Sequence, residues 1–132
     1  MRVEINPNKD REGFFTVIPF GPIDSDHYLD FSEYVTPLLV ETTKGIILDL
    51  ANVDYISSAG LGVLFTMKKF LVGNRGALLF CNLKPQIVRL FEIVNALPKE
   101  TLFKNAEEAD AYLYKMMEEE IERERGHEKT KE

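Results

Sequence analysis

The sequence predicts a single α/β domain in which about four helices pack on a mixed sheet of about four to five strands. Two compact apolar runs, Gly45–Leu50 (GIILDL) and Ala77–Cys81 (ALLFC), have the form of strands buried on both faces. Helical stripes of apolar residues stand between and after them, and strand and helix alternate from Gly21 onward, as in a largely parallel sheet. A length of 132 residues suits one domain. A composition 45% hydrophobic and 29% charged supplies a core and is not that of a disordered chain.

The elements follow in order. Val3–Asn6 is a short strand candidate, and the polar stretch Asn8–Gly13 is a turn. Phe14–Phe20 reads as a second strand, with Pro19 expected at an end, an edge or a bulge because it lacks an N–H. Ser25 or Asp24 can cap a helix starting near Asp26, whose stripe is Tyr28, Phe31, Val35, Leu38 and Leu39. Pro37 lies inside that stripe and predicts a kink or an early end, since a proline in mid-helix costs about 3 kcal/mol.

A second helix is expected over Ser58–Leu71, stopped by Gly73-Asn74-Arg75-Gly76. Pro85 suits the first turn of a third, which carries Ile87, Leu90, Phe91 and Val94. Thr101–Phe103 is a last short strand. Asn105 with Glu108 forms a capping-box start for a helix repeating Ala109, Tyr112, Leu113, Met116 and Met117. The apolar pattern then dissolves into EEEIERERGHEKTKE, so residues 1–117 are expected to be the domain and 118–132 a charged helix end and tail.

Composition also bounds function. A net charge of −6 argues against a nucleic-acid surface, which needs clustered Lys and Arg. No apolar run reaches the length of a membrane span, and the first residues, MRVEINPNKDREGFF, do not read as a secretion leader. The single cysteine, Cys81, sits in a strand run as a buried free thiol, which fits a reducing cytoplasm. No Cys/His spacing suits zinc, no phosphate-binding loop is present, and no cofactor is expected.

The informative segment is Ile46–Leu64, IILDLANVDYISSAGLGVL. A buried strand enters a short loop that delivers Ser57 and Ser58 to a helix start. Unpaired N–H groups there tolerate an added phosphate. Gly60 and Gly62 allow close approach but weaken a helix by about 1 kcal/mol each relative to alanine. From chemistry alone two readings stand: Ser57 is simply an N-cap and the glycines serve packing, or the loop presents a modifiable hydroxyl. Leu61, Val63, Leu64, Phe65, Met67, Phe70 and Leu71 are too many apolar residues for one buried stripe, so an exposed contact patch is expected on this helix.

The run DYISSAGLGVL resembles the motif of the STAS domain of bacterial anti-sigma factor antagonists. Gly21-Pro22-Ile23-Asp24, the glycine-bearing turn at 73–76 and PQIVRLF at 85–91 add to the resemblance, which spans about residues 3–113. It implies a STAS-like fold and a partner-switching regulator. The unphosphorylated protein binds a serine kinase that is also an anti-sigma factor, phosphorylation releases it, and a serine phosphatase resets it. The family's acceptor lies two residues before the first glycine, which is Ser58 here, with Ser57 the runner-up. Ser57 stands where many members carry an acidic residue, and Ala59 where a hydroxyl is common. The partner-binding residues implied are Asp24, Asp54, Ser57, Ala59, Gly60, Leu61, Gly62 and Phe65. The alternative is a STAS module that is never phosphorylated and regulates a transporter, lipid-transport or secretion complex. An enzyme is not expected: the serines do not form a nucleophile elbow, and the only histidines are His27 and His127.

Overall fold

The computed structural model describes residues 1–94 and 102–131; in the last helix, side chains are described only as far as 119, with 117 excepted. The elements are β1 (Arg2–Pro7), β2 (Phe14–Phe20), α1 (Tyr28–Val35), a 3-10 turn (Thr36–Leu38), β3 (Gly45–Asp49), α2 (Ser58–Gly73), β4 (Ala77–Cys81), α3 (Pro85–Val94), β5 (Leu102–Phe103) and α4 (Ala106–Lys131). The five strands lie in sequence order β1-β2-β3-β4-β5, antiparallel between β1 and β2 and parallel thereafter. Thr101, expected in the last strand, and the side chain of Met117 lie outside the described residues.

Strand alternation divides the core. Ile46, Leu48, Leu78 and Phe80 face α1, α2 and α3, where they pack with Phe31, Val35, Leu64, Met67, Leu71, Ile87 and Phe91. The Phe80 and Phe91 rings meet edge to face, with centroids 5.2 Å apart. The alternate residues Ile47, Leu79 and Cys81 turn to the other face with Phe14, under Ala109 and Leu113 of α4. Both central strands are therefore buried on both faces, as their unbroken apolar runs require.

Several local features follow from single residues. The β2–β3 pairing ends at Val17, so Pro19 stands where β2 pairs with β1 alone. Helix α1 stops at Val35, and Pro37 occupies the 3-10 turn. The start near Asp26 is corrected: α1 begins at Tyr28, because the Asp24 carboxylate caps the turn before the helix by accepting from the Asp26 and His27 amides at 3.1 and 3.0 Å. At the end of α2 the left-handed residue is Arg75, with φ of 60°. Gly76 is needed for another reason: a Cβ there would lie 2.6 Å from the Lys44 carbonyl oxygen. Asn74, the C-cap, donates from its side-chain amide to the Glu41 and Thr43 carbonyls at 2.8 and 3.0 Å, tying α2 to the β3 approach. Asn105 caps α4 by accepting from the Glu108 amide at 2.9 Å, and α4 passes residue 117 without a break.

Cys81 is fully buried, and burial, followed by the charges of Asp49 and Glu107, pushes its thiol up to about 12. The unfolded thiol ionises near 9.0. The stability this thiol contributes is therefore intact below pH 9 and declines as pH rises toward 12, because only the unfolded chain releases the proton. A disulfide reagent at pH 8 should label Cys81 at once in urea and only at the rate of opening in the native chain. Immediate native labelling would contradict this packing.

Candidate functional site

The site is assembled where the β2–α1 connection meets the loop from β3 to α2. Leu50, Val53 and Ile56 anchor that loop in the core. Ile23 forms a parallel bridge with Ile56: its N–H donates to the Tyr55 carbonyl at 3.0 Å, and its carbonyl accepts from the Ser57 N–H at 2.9 Å. The Ser57 hydroxyl also reaches the Ile23 carbonyl, at 3.4 Å, and accepts from the Gly60 N–H at 3.1 Å. Ser57 is thus the N-cap of α2, and it is only 8% exposed.

Ser58 is the first residue of α2, and its side chain is exposed. Among the described residues its hydroxyl has no hydrogen-bond partner in the chain. The amides of Ser58 and Ala59 belong to the first turn, where no carbonyl four residues back is available within the helix. An exposed hydroxyl therefore sits at the electropositive end of a 16-residue helix.

The two glycines separate into different roles. A Cβ on Gly60 would lie 2.3 Å from the Ile23 carbonyl oxygen, so this position must be bare for the two segments to meet. Gly62 is exposed and, among the described residues, has nothing within 4 Å of where a Cβ would stand, so none of them requires a glycine there. Gly60→Ala is expected to destabilise the fold by about 1–3 kcal/mol through overpacking. Gly62→Ala is expected to stabilise it by about 1 kcal/mol through helix propensity. Urea unfolding of the two variants checks both signs.

The residues singled out from the sequence do not share one surface. Asp54, Ser58 and Gly62 are exposed, while Asp24, Ala59 and Phe65 are partly so. Ser57, Gly60 and Leu61 point inward and seat the helix, so they offer a partner little side-chain surface. The expected apolar patch on α2 is also corrected: Leu61, Leu64, Met67 and Leu71 are core, and Val63, Phe65 and Phe70 are half-buried against it. The helix lies between the sheet and its neighbours, which absorb more of its faces than one stripe would.

On α2 the exposed large apolar residue is Val72, near the end far from the serines, and further exposed apolar surface lies beside the loop. Tyr55 is 57% and Ile93 80% exposed, and with Ile56, Ile87 and Leu90 they border a groove of about 340 Å³ between the loop and α3. Sequence reasoning missed this groove because Tyr55 lies in a loop and Ile93 continues an apolar stripe. It also missed two polar contacts. Asp54 pairs with Lys84, and Asp24 accepts from His27 Nδ1 at 2.7 Å. The His27 hydrogen bond, followed in smaller part by the Asp26 amide, holds the Asp24 carboxyl below the usual range. The three-residue spacing of Asp24 and His27 was the available signal. Neither Ser57 nor Ser58 bonds to His27 among the described residues, and these contain no grouping suited to a metal ion. No helix among them is long and apolar enough to cross a membrane.

The site thus joins a sheet buried on both faces to a helix start with a capping serine beside an exposed one. The STAS domain family matches residues 7–109, and the chain belongs to that family. Curated relatives are named as anti-sigma factor antagonists. One is BtrV of Bordetella bronchiseptica, a putative member, 44% identical over 59 residues, covering 42% of this chain and about half (51%) of that protein. Another is the anti-sigma-B factor antagonist of Staphylococcus aureus, 32% identical over 83 residues, covering 63% of this chain and 77% of that one. Among solved structures, the anti-sigma factor antagonist SpoIIAA in its unphosphorylated form superposes with a TM-score of 0.64 at 17% identity, over 95% of this chain and 99% of its own.

Proposed function

We propose that this protein is a non-enzymatic partner-switching regulator that binds an anti-sigma factor with serine kinase activity when unmodified and leaves it when Ser58 is phosphorylated. The observation that carries the reading is the division of labour between adjacent serines. The Ser57 hydroxyl is committed to the cap and buried, whereas the Ser58 hydroxyl is exposed and unbonded among the described residues. Relatives named as anti-sigma factor antagonists support the partner class. SpoIIAA, of the same fold, is known in both unphosphorylated and phosphorylated forms, which supports the switch.

The physics of the switch is local. Phosphate adds about −1.5 to −2 charges at the helix start, where free amides and the helix dipole accommodate it without refolding. Asp24 follows Ile23, which is bonded to Ser57, and Asp54 lies four residues before Ser58 in the same loop. The added charge is therefore repelled on the surface and costly to desolvate under a partner. We assign the contact surface to Asp24, Asp54, Ala59, Gly62 and Phe65, extended by Tyr55 and the apolar groove beside α3. The nucleotide belongs to the kinase, the reset to a serine phosphatase, and the exchange to the cytoplasm.

Binding of variants to the serine kinase encoded in the same genome tests this reading. Ser58→Ala should bind as the unmodified protein does and resist release by ATP. Ser58→Asp should bind about tenfold or more weakly, a loss of about 1.4 kcal/mol or more. Ser57→Ala should remain switchable, at a cost of about 0.5–2 kcal/mol in stability from the lost cap. Release of Ser58→Ala by ATP as efficient as that of the natural chain would overturn the proposal.

A further inference from the structure

We propose that His27 is a positioning residue for the phosphorylation of Ser58: it fixes Asp24, and through Asp24 the backbone on which the start of α2 is built. This rests on the reading of Ser58 as the acceptor. The Ile23 carbonyl receives the Ser57 N–H and hydroxyl and leaves no room for a side chain at position 60. The next residue, Asp24, directs one carboxylate oxygen, Oδ1, back into its own loop. That oxygen accepts from the Asp26 N–H at 3.1 Å, the His27 N–H at 3.0 Å and the His27 ring at 2.7 Å. The Asp24 carbonyl accepts from the Tyr28 N–H at 2.9 Å, which begins α1.

The two amide bonds form an Asx turn of a common kind. The ring contact adds what the turn lacks. It ties the carboxylate to a side chain and occupies Oδ1 with a third donor. It also keeps the group ionised, consistent with a carboxyl held below its usual range chiefly by this bond. Oδ2 accepts no hydrogen bond among the described residues and is left for an incoming cationic group. Asp54, by contrast, is an exposed carboxylate paired with the flexible Lys84 side chain. Of these two acids Asp24 is the one held by three donors, and a kinase that reaches Ser58 meets an acceptor loop already in place. Pre-ordering a loop lowers the cost of binding and does not change the chemical step. A neutral imidazole that donates from Nδ1 must carry its proton there and leave Nε2 bare.

The test uses the full chain in two arms. Nitrogen NMR of the histidine rings should find a proton on Nδ1 of His27, the nitrogen that faces Asp24; a His27 ring with Nδ1 bare would overturn the inference without any kinase. In the second arm, steady-state kinetics use ATP and the kinase from the preceding test, with label on Ser58 as the readout. His27→Ala should raise the KM for this protein about fivefold or more and leave kcat within about twofold. His27→Asn, whose amide nitrogen takes the place of Nδ1, should recover most of the loss. His27→Phe keeps the bulk without the donor, serves where alanine does not fold, and should behave as alanine does. Ser58 labelled with an unchanged KM in His27→Ala and His27→Phe overturns this inference and leaves the acceptor reading intact. Absence of label on Ser58 in every variant overturns both.

Discussion

The Ile23 carbonyl, set into the first turn of α2, is the contact on which the rest of the site depends. It accepts the Ser57 amide, receives the Ser57 hydroxyl and lies where any side chain at position 60 would clash. A backbone carbonyl buried at a helix start must find donors, and α2 supplies them from groups its own ladder leaves unpaired. The consequence is a rigid joint between two loops that are 34 residues apart in the chain. Ser57 is consumed in making that joint. Ser58, one residue on and turned outward, is what the joint presents.

Much of the molecule exists to hold this joint still. Strands β3 and β4 are buried on both faces, and Leu50, Val53 and Ile56 continue the core into the loop ahead of the serines. Helix α2 is secured at its far end as well, through Asn74 and the close approach of Gly76 to Lys44. The exposed Gly62 is the exception. It weakens the helix, and no described residue lies close enough to require it.

The strands, the last two helices and the shortening of α1 at Pro37 were legible because apolar runs, caps and proline act locally. The buried runs IILDL and ALLFC could hardly form anything but central strands. The serine–glycine motif was legible as a helix start. Its inner division was not, because whether Ser57 or Ser58 faces solvent depends on where Ile23 lies, and that is a tertiary fact. The same holds for the apolar residues of α2. Seven of them suggested an exposed patch, but counting residues along one helix does not reveal how many neighbours surround it. Of the seven, none is fully exposed; the exposed apolar residue of α2 is Val72 near its far end, and Tyr55 and Ile93 are exposed where the loop meets α3. The stop at residues 73–76 was legible, but its inner division was not: the left-handed residue is Arg75, and Gly76 answers to a carbonyl from the β3 approach.

The account stands on one hydroxyl being offered and its neighbour withheld. Site-resolved phosphopeptide mapping of the natural chain, after brief incubation with its kinase and ATP, addresses that claim most directly. Phosphate on Ser58 with none on Ser57 is the predicted result. Phosphate on Ser57, or only on residues outside this pair, would contradict it.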